Sequence, residues 1–314
     1  MPKLQVKSKT NLTNLKLITV ILKNLKDSIM FYINSKPIVA NYEISANCNL
    51  RCYGSGCYFF KGNGKSKYKD LSLNEWSERF KTDRKNGINK AFLTGGEPML
   101  RQDVIKEAYK IFNSNIQMVT NGTIPVPREP GYPPNYFVSI DGNRKCHNKI
   151  RGLNIFDKIM KNVKGDKRVV FAPVLSRLNK DQVFNIVEET LKAEVRGVIF
   201  SFFTPGKKGS ELVLKGMELD KVIDDIRKAK KDYGKIIMVS EKMLNILKNK
   251  SHVKNCYLRK KWAITYDPEG KIKTPCVLGE DVKCSECGCV VPIIIEGIKK
   301  LDFKTIRAAV NLVH

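Results

Sequence analysis

The amino-acid sequence predicts an α/β fold built on a parallel sheet or a partial barrel. Three observations support this class. Six short β-rich runs alternate with helical stretches, an order typical of parallel strands joined by crossover helices. The first four runs end in Ser, Gly, Asn and Asp, and the carboxyl ends of strands carry the chemistry in such folds. Finally, most of the cysteines lie in two groups, one directly after the first run and one near the C-terminus.

Residue type and pattern predict the individual elements. Val, Ile, Phe and Tyr enrich the six runs, which lie at 39–45, 90–95, 116–121, 136–141, 169–175 and 197–203. Ser72 and Glu75 form a capping-box pattern, which predicts a helix that reaches about Asn86. Further helices are predicted at 103–112 and 179–194.

A different pattern begins after residue 205. A loop rich in Gly and Lys leads into a predicted helix that ends near Tyr233, followed by a short β-like run at 236–240 and another helix. Residues 262–274 predict a β-hairpin, because Asp-Pro-Glu-Gly at 267–270 is a typical turn sequence. The second group of cysteines flanks this hairpin.

The first 36 residues are basic and amphipathic, with apolar residues at spacings of three or four. This periodicity predicts a helix, which either packs against the main domain or lies on a membrane surface. Pro37 ends the segment. We therefore predict three regions, at 1–36, 37–206 and 207–314.

Charge and hydropathy narrow the class of protein. The 57 Lys and Arg residues outnumber the 31 Asp and Glu residues, for a net charge of +26. Such a charge attracts polyanions, but the lysines are scattered along the chain, which favours solvated surfaces instead. No apolar run reaches about 18 residues, and no signal peptide is evident. We expect a cytoplasmic protein, and the alternative for residues 1–36, a helix on a membrane surface, would make it peripheral to a membrane.

The cysteine pattern points to metal or cluster ligation. Nine cysteines, an odd number, argue against a disulfide framework in a chain this long. Cys48, Cys52 and Cys57 lie within ten residues, in a glycine-containing loop. Three thiolates could hold a 4Fe-4S cluster with one iron left open, or a structural zinc ion with a fourth ligand elsewhere. Cys146 lies apart from both groups and is expected to be a passive thiol.

Four phrases in order resemble the radical S-adenosylmethionine (SAM) superfamily. They are EISANCNLRC at the first strand, LTGGEP at the second, VTNG at the third, and SIDG with HNKIRG at the fourth. The resemblance covers about residues 38–206. One departure concerns spacing: the family usually has C-x3-C-x2-C, whereas this chain has C-x3-C-x4-C. Gly54 and Gly56 can adopt the backbone angles that a longer loop needs.

The resemblance implies a partial (β/α)6 barrel and an enzyme that reductively cleaves SAM to a 5′-deoxyadenosyl radical, which abstracts hydrogen from a substrate. It implies that Cys48, Cys52 and Cys57 hold the catalytic 4Fe-4S cluster. The SAM-binding residues would then be Gly95, Gly96 and Glu97 for the ammonium, Ser139 and Arg151 for the carboxylate, and Asn121 nearby. A flavodoxin- or ferredoxin-type protein would supply the electron.

The second group is similar to the SPASM or twitch extension, which carries an auxiliary cluster on a hairpin. It implies a second 4Fe-4S cluster held by Cys256, Cys276 and two of Cys284, Cys287 and Cys289. A zinc ribbon of the same cysteines is the alternative. Within the family two substrates stay open: a membrane lipid, as the phrase KTPCVLGE resembles lipid-modifying relatives, or a peptide or protein residue.

A non-catalytic, zinc-stabilised nucleic-acid-binding protein is the alternative class, favoured only by the charge. No recognised DNA- or RNA-binding signature occurs. The aromatic residues also do not interleave with the basic ones, as stacking platforms would. Binding to nucleic acid is therefore not expected.

Overall fold

The computed structural model describes residues 36–52, 68–254, 256–260 and 262–313. Residues Pro37–His314 form one compact unit. The predicted N-terminal helix, except for its last residue, and Cys57 lie outside the described residues. Within the described part of the chain, every helix is too short or too polar to traverse a lipid bilayer.

The main sheet has seven parallel strands in the order β7-β5-β4-β3-β2-β1-β9. Its strands are β1 (Val39–Ser45), β2 (Lys90–Gly95), β3 (Ile116–Thr120), β4 (Tyr136–Val138), β5 (Val169–Phe171), β7 (Gly197–Val198) and β9 (Ala263–Tyr266). A second sheet pairs β6 (Val174–Leu175) with β8 (Ser201–Phe202), also in parallel. The predicted runs at 169–175 and 197–203 are thus each divided into two short strands.

Among the described residues, eight α-helices precede β9 along the chain and two follow it. They are α1 (Leu73–Lys85), α2 (Gln102–Phe112), α3 (Arg144–Arg151), α4 (Phe156–Val163), α5 (Val183–Lys192), α6 (Gly216–Tyr233), α7 (Glu241–Asn249), α8 (Ser251–Lys254), α9 (Val290–Lys299) and α10 (Phe303–Val313). The capping box that opens α1 is present, with the Ser72 hydroxyl accepting from the Glu75 amide at 3.3 Å.

The outer face of the sheet packs on these helices through aromatic side chains. Tyr42 of β1 is fully buried against Phe80 of α1, with ring centroids 4.8 Å apart, and against Trp76 at 6.0 Å. Phe112 of α2 completes the group. Because side chains alternate along a strand, the neighbours of Tyr42 must point to the opposite, inner face.

The inner face is concave. Phe92 of β2 and Phe137 of β4 have ring centroids only 5.9 Å apart, although β3 lies between their strands. Strands two positions apart in a flat sheet are about 9.6 Å from each other, so the two rings lean together across β3, as the inner face of a curved sheet favours. The predicted α/β partial barrel is therefore confirmed.

The C-terminal hairpin joins the main sheet. Its turn is closed by the Asp267 amide, which donates to the Lys271 carbonyl at 2.9 Å, and Tyr266 pairs with Ile272. The first arm, β9, lies parallel to β1 and pairs Val39 with Ala263. The predicted strand at 236–240 is wrong, because this run makes a single bridge between Ile237 and Val198 after a 3-10 turn.

Candidate active site

The loop that carries Cys48 and Cys52 crosses the end of β2. The Gly96 amide donates to the Ser45 carbonyl at 2.7 Å, and the Glu97 amide donates to the Asn47 carbonyl at 2.8 Å. Gly95 has a φ of +133°, and a Cβ on Gly96 would lie 2.3 Å from the Asn47 carbonyl oxygen. Glycine is therefore required at both positions for the strand end and the cysteine loop to approach.

Asp70 holds the same loop from the other side, a role that the sequence did not reveal. Its carboxylate accepts from the Ala46 amide, from the Ser45 hydroxyl at 3.2 Å and from the Asn47 side-chain amide at 3.2 Å. Arg101 lies 3.8 Å away and balances the charge. These contacts fix the backbone immediately before Cys48.

Glu97 is buried, with 1% of its surface exposed, and its carboxylate joins two strand ends. It accepts from the Asn121 amide at 2.7 Å, the Thr120 hydroxyl at 2.7 Å and the Met99 amide at 2.9 Å. Burial raises the pKa of Glu97, while these donors lower it. Its carboxylate therefore has three partners within the protein, and its predicted contact with the SAM ammonium stays a prediction.

Two N–H groups lie near the sulfur of Cys48, one from the segment after β3 and one from the cysteine loop itself. The Asn121 side-chain amide lies 3.9 Å from the Cys48 Sγ and donates to the Asn49 side-chain carbonyl at 2.8 Å. Asn49 in turn donates to the Thr123 hydroxyl at 2.7 Å. The Leu50 amide points at the same sulfur from 3.4 Å. N–H donors around a sulfur suit a thiolate and an anionic cluster.

Arg151 brings a positive charge to the second thiol. Its Nη1 lies 3.8 Å from the Cys52 Sγ, and its Nε pairs with Asp141 at 2.6 Å. The two charged side chains are 12% and 2% exposed. Asp141 belongs to the SIDG phrase but carried no predicted role. It fixes the guanidinium at the mouth of the barrel, beside the predicted SAM site.

Ser139 and His147 complete this end of the sheet. Ser139 follows β4, and its amide donates to the Thr120 carbonyl at 3.2 Å. His147 is fully buried on α3, where its Nδ1 accepts from the Asp141 amide at 3.2 Å. Burial, with help from Arg151, lowers the pKa of His147 to about 4. The histidine is therefore neutral and structural near pH 7.

Of the predicted site residues, Cys48, Cys52, Gly95, Gly96, Glu97, Asn121, Ser139 and Arg151 all lie at the carboxyl ends of β1 to β4 or in the segments that follow them. The hydrogen bonds above connect most of them directly. Two sulfurs with N–H donors and glycines that admit a close loop fit a cluster with an adjoining cofactor. Cys57, the predicted third ligand, lies outside the described residues.

All five cysteines of the second group line one cavity of about 170 Å³. The cavity has apolar walls, formed by Val174, Phe202, Leu278, Val282 and Pro292 among others. Within the described residues, no three His, Cys, Asp or Glu side chains converge closely enough to hold a single metal ion. The thiols thus line a cavity instead of converging on the position of a single ion.

The thiols of the second group lie near enough to one another to raise each other's pKa. Burial raises the pKa of Cys276 to about 11, and neighbouring cysteines contribute to the rise. The pKa of Cys289 is raised by burial and by Cys287, Cys276 and Cys256. Several thiolates can share such a space only when a positive centre offsets their charge. The donor set therefore fits a metal cluster.

Comparison with known proteins identifies the family. The model of the radical SAM superfamily matches residues 42–212, more than half of the chain. A probable GTP 3′,8-cyclase of Thermoplasma volcanium is 25% identical over 71% of this chain and 68% of that protein. The GTP 3′,8-cyclase of Alkaliphilus metalliredigens is 36% identical, but over only 32% of this chain and 31% of its own length.

A solved structure shows the same fold. Streptococcus suis SuiB, in complex with the precursor peptide SuiA, superimposes with a TM-score of 0.61 at 13% identity and covers 91% of this chain and 72% of SuiB. The curved parallel sheet and the cysteine loop at its carboxyl edge define an enzyme of the SAM-dependent iron–sulfur class. This chain belongs to the radical SAM superfamily, whose members use a 4Fe-4S cluster and SAM.

Proposed function

We propose that Cys48, Cys52 and Cys57 hold a 4Fe-4S cluster and that SAM binds between this cluster and the ends of β2 to β4. When bound, these cofactors supply reductive cleavage of SAM and a 5′-deoxyadenosyl radical that abstracts hydrogen from a substrate. A flavodoxin- or ferredoxin-type protein would donate the electron. Family membership favours this function over the nucleic-acid-binding alternative.

The strongest support for the proposal is the network of hydrogen bonds around the Glu97 carboxylate. This buried carboxylate fastens the end of β2 to the end of β3, and the residues on either side position the cysteine loop. The Glu97 amide binds the loop at Asn47, and Asn121 reaches Cys48. Hydrogen bonds thus connect the ends of β2 and β3 with the Cys48 sulfur, an arrangement suited to a preorganised cofactor site.

Each remaining residue has a role that its chemistry allows. The carbonyls of Gly95 and Gly96 would accept from the SAM ammonium. The Ser139 hydroxyl and the Arg151 guanidinium would donate to the SAM carboxylate. Asp141 orients Arg151 through their 2.6 Å pair, so we assign it as a positioning residue.

The second cysteine group would hold an auxiliary 4Fe-4S cluster. Cys256 and Cys276 with two of Cys284, Cys287 and Cys289 would provide the ligands. The support is the shared cavity with five thiols on its wall. A zinc ribbon remains the alternative, and a metal assay separates the two.

Three substrate classes have support. The relatives named GTP 3′,8-cyclase favour a nucleotide, and SuiB with its precursor peptide favours a peptide. The basic segment at residues 1–36 favours a membrane lipid and peripheral contact with a membrane.

The decisive experiment is anaerobic reconstitution with iron and sulfide, reduction, and addition of SAM. Formation of 5′-deoxyadenosine is expected, with loss of this product in Cys52→Ala. Cys146→Ala provides the matched control, because this thiol lies in neither group and should leave product formation unchanged. Zinc in place of iron, or no product from the wild-type enzyme, would contradict the proposal.

A further inference from the structure

Four polar side chains form a group on the inner face of the sheet, which we call the inner polar group. Asn41 and Glu43 belong to β1, Thr94 to β2, and Lys273 to the returning arm of the hairpin. The first two point inward because Tyr42 between them packs outward on the helices. Glu43 pairs with Thr94, and Ser45 with Gly95 at the strand end. Along β1, Glu43 therefore lies about 7 Å, and Asn41 about 13 Å, below the strand end that carries the glycines predicted to bind SAM.

An ion pair occupies the centre of this group. Lys273 Nζ lies 2.8 Å from Glu43 Oε1, and the two side chains are 10% and 1% exposed. Burial raises the pKa of Glu43 to about 7, although Lys273 lowers it. A buried ion pair adds little net stability compared with apolar residues of similar volume. Its presence on the inner face therefore calls for a role other than stability.

Asn41 offers a second, independent observation. The side chain is 6% exposed, and its Oδ1 accepts from the Thr94 hydroxyl at 3.1 Å. Its Nδ2 is buried and, among the described residues, has no hydrogen-bond partner. An unsatisfied buried donor costs about 1–3 kcal/mol and is uncommon in folded proteins. The hydroxyl of Thr94 thus holds the amide oxygen of Asn41, and Nδ2 stays an unused donor among the described residues.

We propose that the inner polar group binds the substrate through an amide-type edge, a carbonyl next to an N–H. This inference rests on the proposed function and names the substrate class of the same site. Asn41 Nδ2 donates to the carbonyl, and Glu43 accepts from the N–H while Lys273 holds the carboxylate in place. Peptide bonds and the guanine lactam both present this edge. A hydrocarbon chain offers no acceptor to the buried Asn41 donor, so the group favours an amide-bearing substrate over a lipid tail.

Deuterium transfer tests the substrate class. Cells of the source organism are grown in deuterated medium and separated into a small-molecule filtrate, a soluble protein fraction and a chloroform extract. Each is added to the reconstituted, reduced enzyme with unlabelled SAM, and deuterium in 5′-deoxyadenosine is measured by mass spectrometry. Label from the filtrate would identify a small molecule such as a nucleotide, and label from the protein fraction a peptide; either supports the proposal.

Label from the chloroform extract, or from no fraction while 5′-deoxyadenosine still forms, would overturn the inference and leave the proposed function standing. Absence of 5′-deoxyadenosine would instead mean that the proposed function itself fails. The two failures are therefore distinguishable in one assay.

Two variants connect the label to the named residues. Asn41→Leu removes the donor at similar volume, and Thr94→Val removes the hydroxyl that orients it. Each should lower deuterium transfer from the active fraction at least tenfold, with melting temperature recorded to verify folding. Asn245→Leu on α7, an exposed asparagine, is the matched control and should transfer deuterium like the wild type. Unchanged transfer in folded Asn41→Leu and Thr94→Val would contradict the assignment.

Discussion

The two cysteine regions share one local hydrogen bond, from a backbone amide to the sulfur of the cysteine two residues earlier, but differ in the side chains that surround it. In the first, the Leu50 amide points at the sulfur of Cys48, two residues earlier. In the second, the Leu278 amide donates to the sulfur of Cys276. In the first region, the side chains of Asn121 and Arg151, which are distant in sequence, also contact the sulfurs. In the second region, apolar side chains line much of the cavity around the thiols.

Identical thiol ligands in such different surroundings are expected to serve different tasks. Donors and charges at the first region suit a site where a polar cofactor must bind and leave. Apolar walls at the second region exclude water and suit a cluster that stays in place.

Removing one thiol from each region should have separate consequences. Cys52→Ala should abolish 5′-deoxyadenosine formation, because the catalytic cluster loses a ligand. Cys276→Ala should lose the iron of the second region while the electron paramagnetic resonance signal of the first cluster persists. Iron analysis and spectroscopy of both variants measure this. Loss of both signals in either variant would show that the regions are not independent.

Acid should destabilise the first region through His147. Its pKa falls from 6.5 in the unfolded chain to about 4 in the fold, so the unfolded state binds the proton more tightly between these values. The contribution of His147 to the free energy of unfolding is therefore fully present above about pH 6.5. It is lost as the pH falls toward 4, and the loss is about 3 kcal/mol at most. Denaturant titrations across this range provide the measurement.

His147→Asn isolates this contribution, since an asparagine oxygen can accept from the Asp141 amide in place of Nδ1. The dependence of unfolding free energy on pH should flatten relative to the wild type. Equal dependence in both proteins would show that other groups control the acid response.

Glu97→Gln should weaken the junction between β2 and β3. The new side-chain amide places a donor opposite an N–H or hydroxyl donor, so one buried group loses its partner at a cost of about 1–3 kcal/mol. Chemical denaturation should show this loss together with reduced affinity for SAM. The exposed acid Glu241, paired with Arg227, is the control, and Glu241→Gln should change stability by less than about 1 kcal/mol.

Asp70→Asn should have the smallest effect. The amide keeps one acceptor for the Ala46 amide but loses the charge that strengthens these hydrogen bonds, worth about 1 kcal/mol. We expect SAM to bind several-fold more weakly, with little change in global stability, as measured by isothermal titration of the reconstituted enzyme. A melting temperature lowered as far as in Glu97→Gln would instead assign Asp70 a general structural role.

Much of the fold could be read from local patterns. The runs at 39–45 and 90–95 match β1 and β2 residue for residue, and the Ser72–Glu75 pattern opens α1. The hairpin turn at 267–270 also follows from its own residues. These features depend on contacts within a few residues, which a sequence displays directly.

Contacts between distant segments could not be read in the same way. The run at 236–240 has strand-like residues but only one bridging partner, and nothing local shows that β9 extends the sheet beside β1. Asp70 lies outside every motif, and Asn49 lies in the first phrase without a predicted role, although both hold the cysteine loop in place. Their importance arises from the polar groups that lie opposite them in the folded chain.

The sequence alone therefore predicted the class of chemistry, because the four phrases that resemble the family are properties of short segments. The tertiary structure decided which side chains complete the site. Lys273 meets Glu43 across 230 positions of chain, and Arg151 reaches Cys52 across 99. Such pairs exist only after the sheet curves and the hairpin joins it, since curvature is what brings the inner faces of separate strands together.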